Sequence, residues 1–237
     1  KNTVYEYTPP ANGVGLGTWR TDLTTMPTAR YGAAAVLASN NLIYVVGGVS
    51  SAASCPASGI CRTVEAFTPP VNGVGAGSWS GSPSIQQLNA ARALPGLALA
   101  TSNNKLYVAG GISSDGSTNL ETVEEYDPVA NTAWRTVASM TQKRQGLALA
   151  QAGDGKLYAV GGIDGGNFLP TVERFTVPPT TATNGSWAGP SGVAQLPIAR
   201  GNHGMVASNG NLFVVGGRGS DAGGLVRSEV FELDPAA

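Results

Sequence analysis

The hydrophobic residues of this chain recur in short apolar runs that each end in a glycine pair. The four runs share one form, an aromatic residue, two small apolar residues and Gly-Gly: Tyr44–Gly48, Tyr107–Gly111, Tyr158–Gly162 and Phe213–Gly217. Their first glycines follow one another at steps of 63, 51 and 55 residues. Recurrence at this period predicts a repeat architecture, in which each unit buries its faces by stacking on its neighbours.

Each period predicts four strands. A small, uncharged run such as Gly146–Ala150 favours an inner strand buried on both faces, and the run before the glycine pair favours a second buried strand. A loosely alternating segment such as Val123–Tyr126 predicts a half-buried third strand, which Thr-Pro-Pro or Asp-Pro ends. The outermost strand carries a tryptophan: Trp19, Trp79, Trp134 and Trp187. The unit is therefore a four-stranded antiparallel sheet, and several such sheets in a ring form a β-propeller.

The order of these residues resembles the kelch repeat. An arginine, an apolar run, Tyr-x-x-Gly-Gly, a Val-Glu segment and a tryptophan follow one another, and the unit Thr122–Thr171 is nearest to the family pattern. The resemblance covers nearly the whole chain and implies an all-β fold, a kelch-type β-propeller of four-stranded antiparallel blades. We expect one domain over residues 1–237, with repeat units at about 3–62, 63–121, 122–170 and 171–227 and the start of a further unit at 228–237.

Two ways of completing the propeller remain open. The N-terminal segment supplies a third and a fourth strand, and the C-terminal segment supplies a first, second and third strand, so the two could join in a fourth blade. Kelch propellers usually have about six or seven blades. This chain would then be part of a larger ring, and the edges of the cut ring would need to be covered, since unpaired strand edges invite association.

Composition narrows the function. The chain has 237 residues, a net charge of −1 and 12% charged residues. Without a basic stripe, nucleic acid is not an expected partner, and no apolar run approaches the roughly 20 residues that a membrane-spanning helix needs. The low charge and the richness in small residues favour a secreted or cell-surface protein, with a cytoplasmic one as the alternative.

Cys55 and Cys61 lie in one short loop, where a disulfide would stiffen the loop and two free thiols are the alternative reading. We expect no metal site, because zinc needs four ligands and two cysteines alone do not supply them. Asn184-Gly185-Ser186 is an acceptor triplet for N-glycosylation, which makes Asn184 a candidate glycosylation site.

The candidate ligand-binding residues begin with four arginines that each open an inner strand: Arg30, Arg92, Arg144 and Arg200. A ring would gather them at the mouth of the central channel, and in the kelch adaptor proteins that the chain resembles, arginines at this position help to hold acidic peptides. Arg218 follows a glycine pair and can line the same mouth. Alternatively, each arginine pairs with a strand glutamate or caps carbonyl groups in the channel.

Other candidates lie on the loops between second and third strands, at about residues 49–62, 112–121, 163–170 and 218–227. These loops are long, polar and different from copy to copy, and variable loops on a fixed scaffold are where recognition usually lies. Phe168 is a candidate apolar anchor, with Leu169 beside it. His203 is the only histidine; it is a candidate ligand, although a packed core histidine is the alternative.

No residue is predicted to be catalytic, and no cofactor is expected. A single histidine cannot supply the two that copper-radical oxidases with kelch propellers need, and no nucleophile-elbow motif accompanies it. We therefore expect a non-enzymatic module that binds a protein or glycan partner with acidic or polar groups through the face that carries the arginines. The alternatives are an enzyme resembling bacterial kelch propellers that act as sialic-acid mutarotases, and a structural subunit that assembles through exposed strand edges.

Overall fold

A computed structural model describes residues 1–179, 183–219 and 225–235 of the chain. The three central repeats form complete four-stranded antiparallel sheets, in which strands that follow one another in sequence lie side by side. Blade 1 comprises Ala34–Leu37, Ile43–Val46, Val64–Thr68 and Ser78–Ser80; blade 2 comprises Gly96–Ala100, Lys105–Ala109, Val123–Tyr126 and Arg135–Val137; blade 3 comprises Ala148–Gln151, Leu157–Val160, Val172–Thr176 and Ser186–Ala188.

The ends of the chain form partial sheets. Blade 4 has three strands, Gly204–Ser208, Asn211–Val215 and Val230–Leu233. The N-terminal pair, Glu6–Thr8 with Thr18–Arg20, is a separate two-stranded sheet. It is not hydrogen-bonded to blade 4, so in the described part of the chain the two termini do not join in one sheet.

Short strand pairs and one helical turn complete the secondary structure. The pairs lie at the tops of blades 2, 3 and 4: Arg92–Ala93 with Ile112–Ser113, Ile163–Asp164 with Asn167–Phe168, and Arg200–Gly201 with Arg218–Gly219. In the part of the chain that the structure describes, one 3₁₀ turn is present, at Pro190–Gly192. No helix in the described residues has both the length and the apolar character to cross a membrane.

The tryptophans join neighbouring blades, as the outermost position predicts. Within its blade, Trp187 lies 5.0 Å from Phe175 between ring centroids, and the Trp134 ring stacks on Tyr126 at 4.8 Å. The indole N–H of Trp134 also donates to the carbonyl of Gln86, on the segment that enters blade 2 from blade 1. An indole can therefore fill an apolar gap and still satisfy its one donor.

Apolar cores between successive blades hold the array together. Three cores occur among the described residues, between blades 1 and 2, 2 and 3, and 3 and 4, and each contains a buried second-strand aromatic residue, respectively Tyr44, Tyr107 and Tyr158. The sheets therefore stack face to face in chain order. The all-β propeller arrangement of antiparallel blades predicted from the repeats is confirmed.

Backbone hydrogen bonds link the inner strands around the hub. We call the arginines that open the inner strands, Arg30, Arg92, Arg144 and Arg200, the hub arginines. The residue two positions after each hub arginine has a left-handed backbone, with φ between +54° and +62°. These residues form one chain of bonds from blade to blade, in which Leu94 N–H donates to Gly32, Gly146 to Leu94, and Asn202 to Gly146, at 2.7–2.8 Å. Leu94 and Asn202 adopt this conformation without being glycine, at a cost that the interblade bonds offset.

Candidate functional site

The hub arginines are buried inside their own blades. The Nη1 group of Arg144 donates to the carbonyl of Gly161 at 2.7 Å and to that of Thr171 at 3.0 Å, which ties the end of the second strand to the start of the third. Arg30 and Arg92 make the equivalent pair of bonds in blades 1 and 2. Each guanidinium therefore holds the sharp turn at the glycine pair.

A strand glutamate faces each of these guanidinium groups. The Nη2 atoms lie 2.6–2.8 Å from a carboxylate oxygen in the first three blades, in the pairs Arg30–Glu65, Arg92–Glu124 and Arg144–Glu173. The carboxylate has further donors: Glu173 accepts from the backbone N–H and hydroxyl of Thr141 and from the backbone N–H of Gln142. Burial lowers the pKa of each hub arginine, and the facing glutamate opposes the shift. A buried charge of this kind is stable because it is paired and hydrogen-bonded.

The fourth pair is looser. Arg200 Nη2 lies 3.7 Å from Glu229, whose side chain is 38% exposed, although Arg200 is itself buried and still donates to the carbonyl of Gly216 at 2.8 Å. The Arg200 guanidinium carbon also lies 4.4 Å from the centre of the Phe231 ring. Arg200 of the fourth repeat thus makes one of the two carbonyl contacts at the turn and a longer ion pair than the other three arginines make.

The four arginines are thus placed around the hub, as expected, but point into the blades. The geometry is that of the alternative reading, in which arginine pairs with the strand glutamate and bonds to the carbonyls of the turn. The physical reason is proximity: an arginine that opens the inner strand lies beside the first glycine of the pair and the residue before the third strand of the same blade, and its Nη1 group reaches the carbonyls of both. Binding of a ligand by these four side chains stays a prediction, and in this structure their Nη1 donors and ion pairs are internal.

His203 is a packed residue next to Arg200. It is buried, and burial followed by the Arg200 charge lowers its pKa to about 4, so the ring is neutral at pH 7. The corresponding residue of blade 3 is Leu147, which is buried in the core between blades 2 and 3. A histidine at a position where a neighbouring repeat has leucine is consistent with packing, the alternative left open by the sequence.

The loops between second and third strands lie at the same end of the blades as the arginines. We call this end, formed by these upper loops and by the residues directly before and after each hub arginine, the loop face. The upper loop of blade 2 is tied to that of blade 3, because Asn119 Nδ2 donates to Asp164 at 3.0 Å and to the carbonyl of Ile163 at 3.2 Å. In the upper loop of blade 1, Cys55 and Cys61 form a disulfide, as one reading of the sequence predicted. In the fourth upper loop, residues 220–224 lie outside the described residues.

Exposed side chains of the loop face differ from blade to blade. Tyr31 follows Arg30 and is 71% exposed. Phe168 is half-buried in the blade 3 hairpin, where it pairs with Ile163 at the end away from the turn, while Leu169 beside it is buried. Arg218, Arg62 and Lys143 are exposed cations on this face. The sequence reading missed Tyr31 and Lys143, although their positions on either side of a repeated arginine could have identified them.

Asn184 is exposed on the loop between the third and outer strands of blade 3, where its side-chain oxygen accepts from Arg135 at 2.7 Å. This position is compatible with an accessible acceptor, and its glycosylation stays a prediction. No group of three or more His, Cys, Asp or Glu side chains that could hold a metal ion occurs in residues 1–179, 183–219 and 225–235.

A second buried charge cluster lies at the opposite end of blade 2. Glu125 accepts from the Tyr107 hydroxyl at 2.5 Å and pairs with Lys105 at 3.2 Å and Arg135 at 3.1 Å. Burial and the bond to Glu125 raise the pKa of Tyr107. The doubled acid Glu124-Glu125 is the sequence signal for this cluster, since only one of two adjacent strand carboxylates can face the hub arginine.

Comparisons with known proteins agree with this architecture. The model of the Kelch motif matches residues 93–141 and 147–177. Kelch-like protein 13 from Homo sapiens is 42% identical over 93 residues, which are 38% of this chain and 14% of the relative. Kelch repeat and BTB domain-containing protein 13 from Homo sapiens is 34% identical over 132 residues, 56% of this chain and 27% of the relative. The matches therefore span less than a third of these relatives' own length.

A solved structure shares the fold over nearly the whole chain. The structure titled "Structure of YjhT" superposes with a TM-score of 0.71 at 17% sequence identity, covering 97% of this chain and 72% of the other. More than a quarter of that chain therefore lies outside the superposition.

Proposed function

We propose that this kelch-repeat propeller is a non-enzymatic module that binds a protein partner through its loop face. The proposal rests on the difference between the repeated Arg–Glu pairs of the hub and the variable exposed side chains of the loop face. The hub below it repeats from blade to blade, with internal Arg–Glu pairs, whereas the exposed side chains above it differ. A rigid scaffold that presents variable loops is suited to recognition.

The charges of the loop face favour an acidic partner. Arg62, Lys143 and Arg218 are exposed there. The carboxylate of Asp115 accepts two backbone N–H groups and a hydroxyl within its own turn, and Asp164 accepts from the neighbouring loop. Arg62 and Lys143 thus face outward while these two carboxylates are hydrogen-bonded within the protein, so we propose that the ligand is an extended segment that carries carboxylate groups. Arginine and lysine both suit such a ligand.

We further propose that the protein works in an oxidising compartment, at the cell surface or outside the cell. The Cys55–Cys61 disulfide supports this, because such bonds persist mainly where glutathione does not reduce them.

A glycan that bears carboxylates would present chemistry similar to that of an acidic peptide, and it is the alternative ligand in the experiment that follows.

The test selects ligands without assuming one. A library of random displayed peptides is panned on the immobilised chain, and selected peptides are measured by fluorescence polarisation. We expect peptides enriched in Asp and Glu whose Kd rises at least about tenfold with Lys143→Glu or Phe168→Ser. The control is Val129→Ser, an exposed position in the turn at the opposite end of blade 2, which should leave Kd unchanged.

Selected peptides that bind Lys143→Glu and Phe168→Ser as well as the parent would overturn the assignment of the loop face. A selection that yields no binder, repeated with an array of acidic glycans, would overturn the proposal of a binding module. Turnover of an added sugar acid by the parent chain would favour the enzymatic alternative instead.

A further inference from the structure

Asparagine is followed by glycine at four places in the chain: Asn12-Gly13, Asn72-Gly73, Asn184-Gly185 and Asn209-Gly210. In each pair the side-chain amide carbon of the asparagine can be attacked by the backbone nitrogen of the next residue. Glycine hinders this approach least, because it has no Cβ. The fold decides at which of the four pairs the nitrogen is accessible.

Two of the pairs lie in loops of nearly the same sequence, at the end of the sheets opposite the loop face. Loop A comprises residues 8–19 and loop B residues 68–79, and they differ at three of 12 positions. Each joins two neighbouring antiparallel strands. The asparagine and glycine thus have similar neighbours in sequence in both loops, so a large difference in their reactivity must come from the fold.

The two loops differ in which backbone amide closes the turn. In loop A the N–H of Gly13 donates to a carbonyl three residues earlier, at 3.0 Å. In loop B the turn is shifted by one residue: Val74 N–H donates to the Val71 carbonyl at 3.0 Å, and Asn72 and Gly73 form the centre with φ of +53° and +71°. No acceptor for the Gly73 N–H occurs among the described residues. The attacking nitrogen is therefore engaged in loop A and accessible in loop B.

The surroundings of Gly73 favour attack as well. Asn72 and Gly73 are exposed, and a Cβ built on Gly73 would meet no atom within 4 Å, so the ring that the attack forms has room. Arg20 Nη1 donates to the Gly73 carbonyl at 2.9 Å, and its Nη2 donates to the Gly75 carbonyl. This positive charge within the same residue's reach favours the deprotonated amide nitrogen, which is the attacking form.

The two remaining pairs are held more firmly. The side-chain oxygen of Asn184 accepts from Arg135 at 2.7 Å, which restrains the group that would be attacked. Asn209-Gly210 closes a hairpin of two five-residue strands in blade 4, so the turn is held on both sides by the strand ladder. Of the four pairs, Asn72-Gly73 thus combines an accessible nitrogen, open space and a nearby cation.

We propose that Asn72 is a site of spontaneous deamidation in the folded protein. The Gly73 nitrogen gives its proton to solvent and attacks Cγ of Asn72, and the new N–Cγ bond closes a five-membered succinimide. The Cγ–Nδ2 bond breaks, and Nδ2 takes a proton and leaves as ammonia. Water then adds to one of the two imide carbonyls and opens the ring, to aspartate or to isoaspartate. Water is the only co-reactant, and no oxidant or reductant takes part.

The products change loop B in two ways. Either one adds a negative charge to residues 68–79, which carry none. Isoaspartate also adds one methylene group to the backbone between residues 72 and 73, so the bond from Val74 to Val71 cannot keep its geometry. The Gly73 carbonyl then moves relative to Arg20, and we expect the contact between loop B and the preceding outer strand to loosen as the protein ages.

The experiment compares the two loops in one sample. The folded chain is incubated at pH 7 in water labelled with ¹⁸O, and peptide mapping by mass spectrometry gives the deamidated fraction at each asparagine. We expect Asn72 to deamidate at least about fivefold faster than Asn12, because an engaged amide reacts only from locally opened states. In denaturant the two rates should become equal.

The matched variant is Val71→Ala, a change at an exposed position that makes residues 68–75 identical in sequence to residues 8–15. It should keep the faster reaction at Asn72. Equal rates at Asn12 and Asn72 in the folded chain would overturn the proposal, and so would a difference that persists in denaturant or disappears in the variant. In the aged fraction, amide hydrogen exchange of Val74 should be faster than in the fresh protein, and an unchanged rate would contradict the loosened turn.

Discussion

The buried pair Arg144–Glu173 should be far more important for stability than its counterpart in blade 4. In Arg144→Met, the side chain keeps its approximate volume but leaves Glu173, whose side chain is 0% exposed, without its cation. Removing one partner of a buried ion pair costs about 3–5 kcal/mol, because the remaining charge stays desolvated. The carbonyls of Gly161 and Thr171 also lose their bonds to the guanidinium, although the Thr171 carbonyl still accepts from the backbone N–H of Gly161.

Arg200→Met is the matched control. Its partner Glu229 is 3.7 Å away and partly exposed, so water can solvate the carboxylate when the guanidinium is removed. The loss there is the bond to Gly216 and the contact with Phe231, which we expect to amount to about 1–2 kcal/mol. The difference between the two variants is therefore expected to be about 1–4 kcal/mol.

The assay is urea unfolding at pH 7 and 25 °C, followed by fluorescence, with the m-value compared between variants. The double variant Arg144→Met/Glu173→Gln completes a cycle and should be less destabilised than the sum of its single changes, because the stranded charge is gone. In thermal unfolding, Arg144→Met should lower Tm by about 10 °C for a chain of this size. Equal losses for Arg144→Met and Arg200→Met, or an additive cycle, would refute the reasoning.

Three further outcomes are expected. The folded pKa of His203, about 4, lies below the ordinary value of 6.5, so the stability that the neutral ring provides is complete above pH 6.5 and is lost as pH falls toward 4, by about 1.4 kcal/mol per pH unit. His203→Leu should remove this pH dependence from the free energies of unfolding measured between pH 4.5 and 6.5. An unchanged pH dependence in the variant would contradict this. At Gly162, φ is +109° and an added Cβ would lie 2.9 Å from a backbone carbonyl, whereas at Gly165 it meets open space; urea unfolding should show Gly162→Ala to cost at least about 2 kcal/mol more than Gly165→Ala, and equal costs would count against the close approach. Reduction of Cys55–Cys61 should lower the free energy of unfolding by up to about 2 kcal/mol, compared with and without reductant, and a stability that rises on reduction would be the opposite of this expectation.

The fold could be predicted from the sequence because its determinants are local and repeated. The glycine pairs adopt positive φ where the second strand ends, and Trp79 and Trp187 lie on the outer strands of blades 1 and 3, while Trp134 directly precedes the outer strand of blade 2. These features depend on a residue and its neighbours in one unit. Four copies with the same order of residues were therefore sufficient to predict the order of the strands and the antiparallel sheets.

The direction of the hub arginines could not be predicted in the same way. Sequence spacing places Arg144 at the hub, but whether it points to the channel or to Glu173 depends on the path of the third strand, 29 residues later. The sequence left both readings open. The loop contacts between Asn119 and Asp164 likewise join different blades, and no local pattern announces them.

The open ends could be anticipated only in outline. The number of repeated strands indicated an incomplete set of blades, but the same strands could also have been completed by joining the two termini in a fourth blade. The structure separates these because the N-terminal pair binds at the entry to blade 1, through Asn2 and Met26, and is not bonded to blade 4. A backbone contact of this kind carries no side-chain signature.

The central claim is that the hub guanidinium groups are structural and that the loops above them bind. The most direct measurement is NMR of the ¹⁵N-labelled arginine side chains while a selected acidic peptide is added. The account predicts that the Nη signals of Arg92 and Arg144 show slow rotation and slow solvent exchange and stay in place, while those of Arg62 and Arg218 shift. Hub signals that exchange quickly and move with the peptide, with Arg62 and Arg218 unchanged, would contradict it.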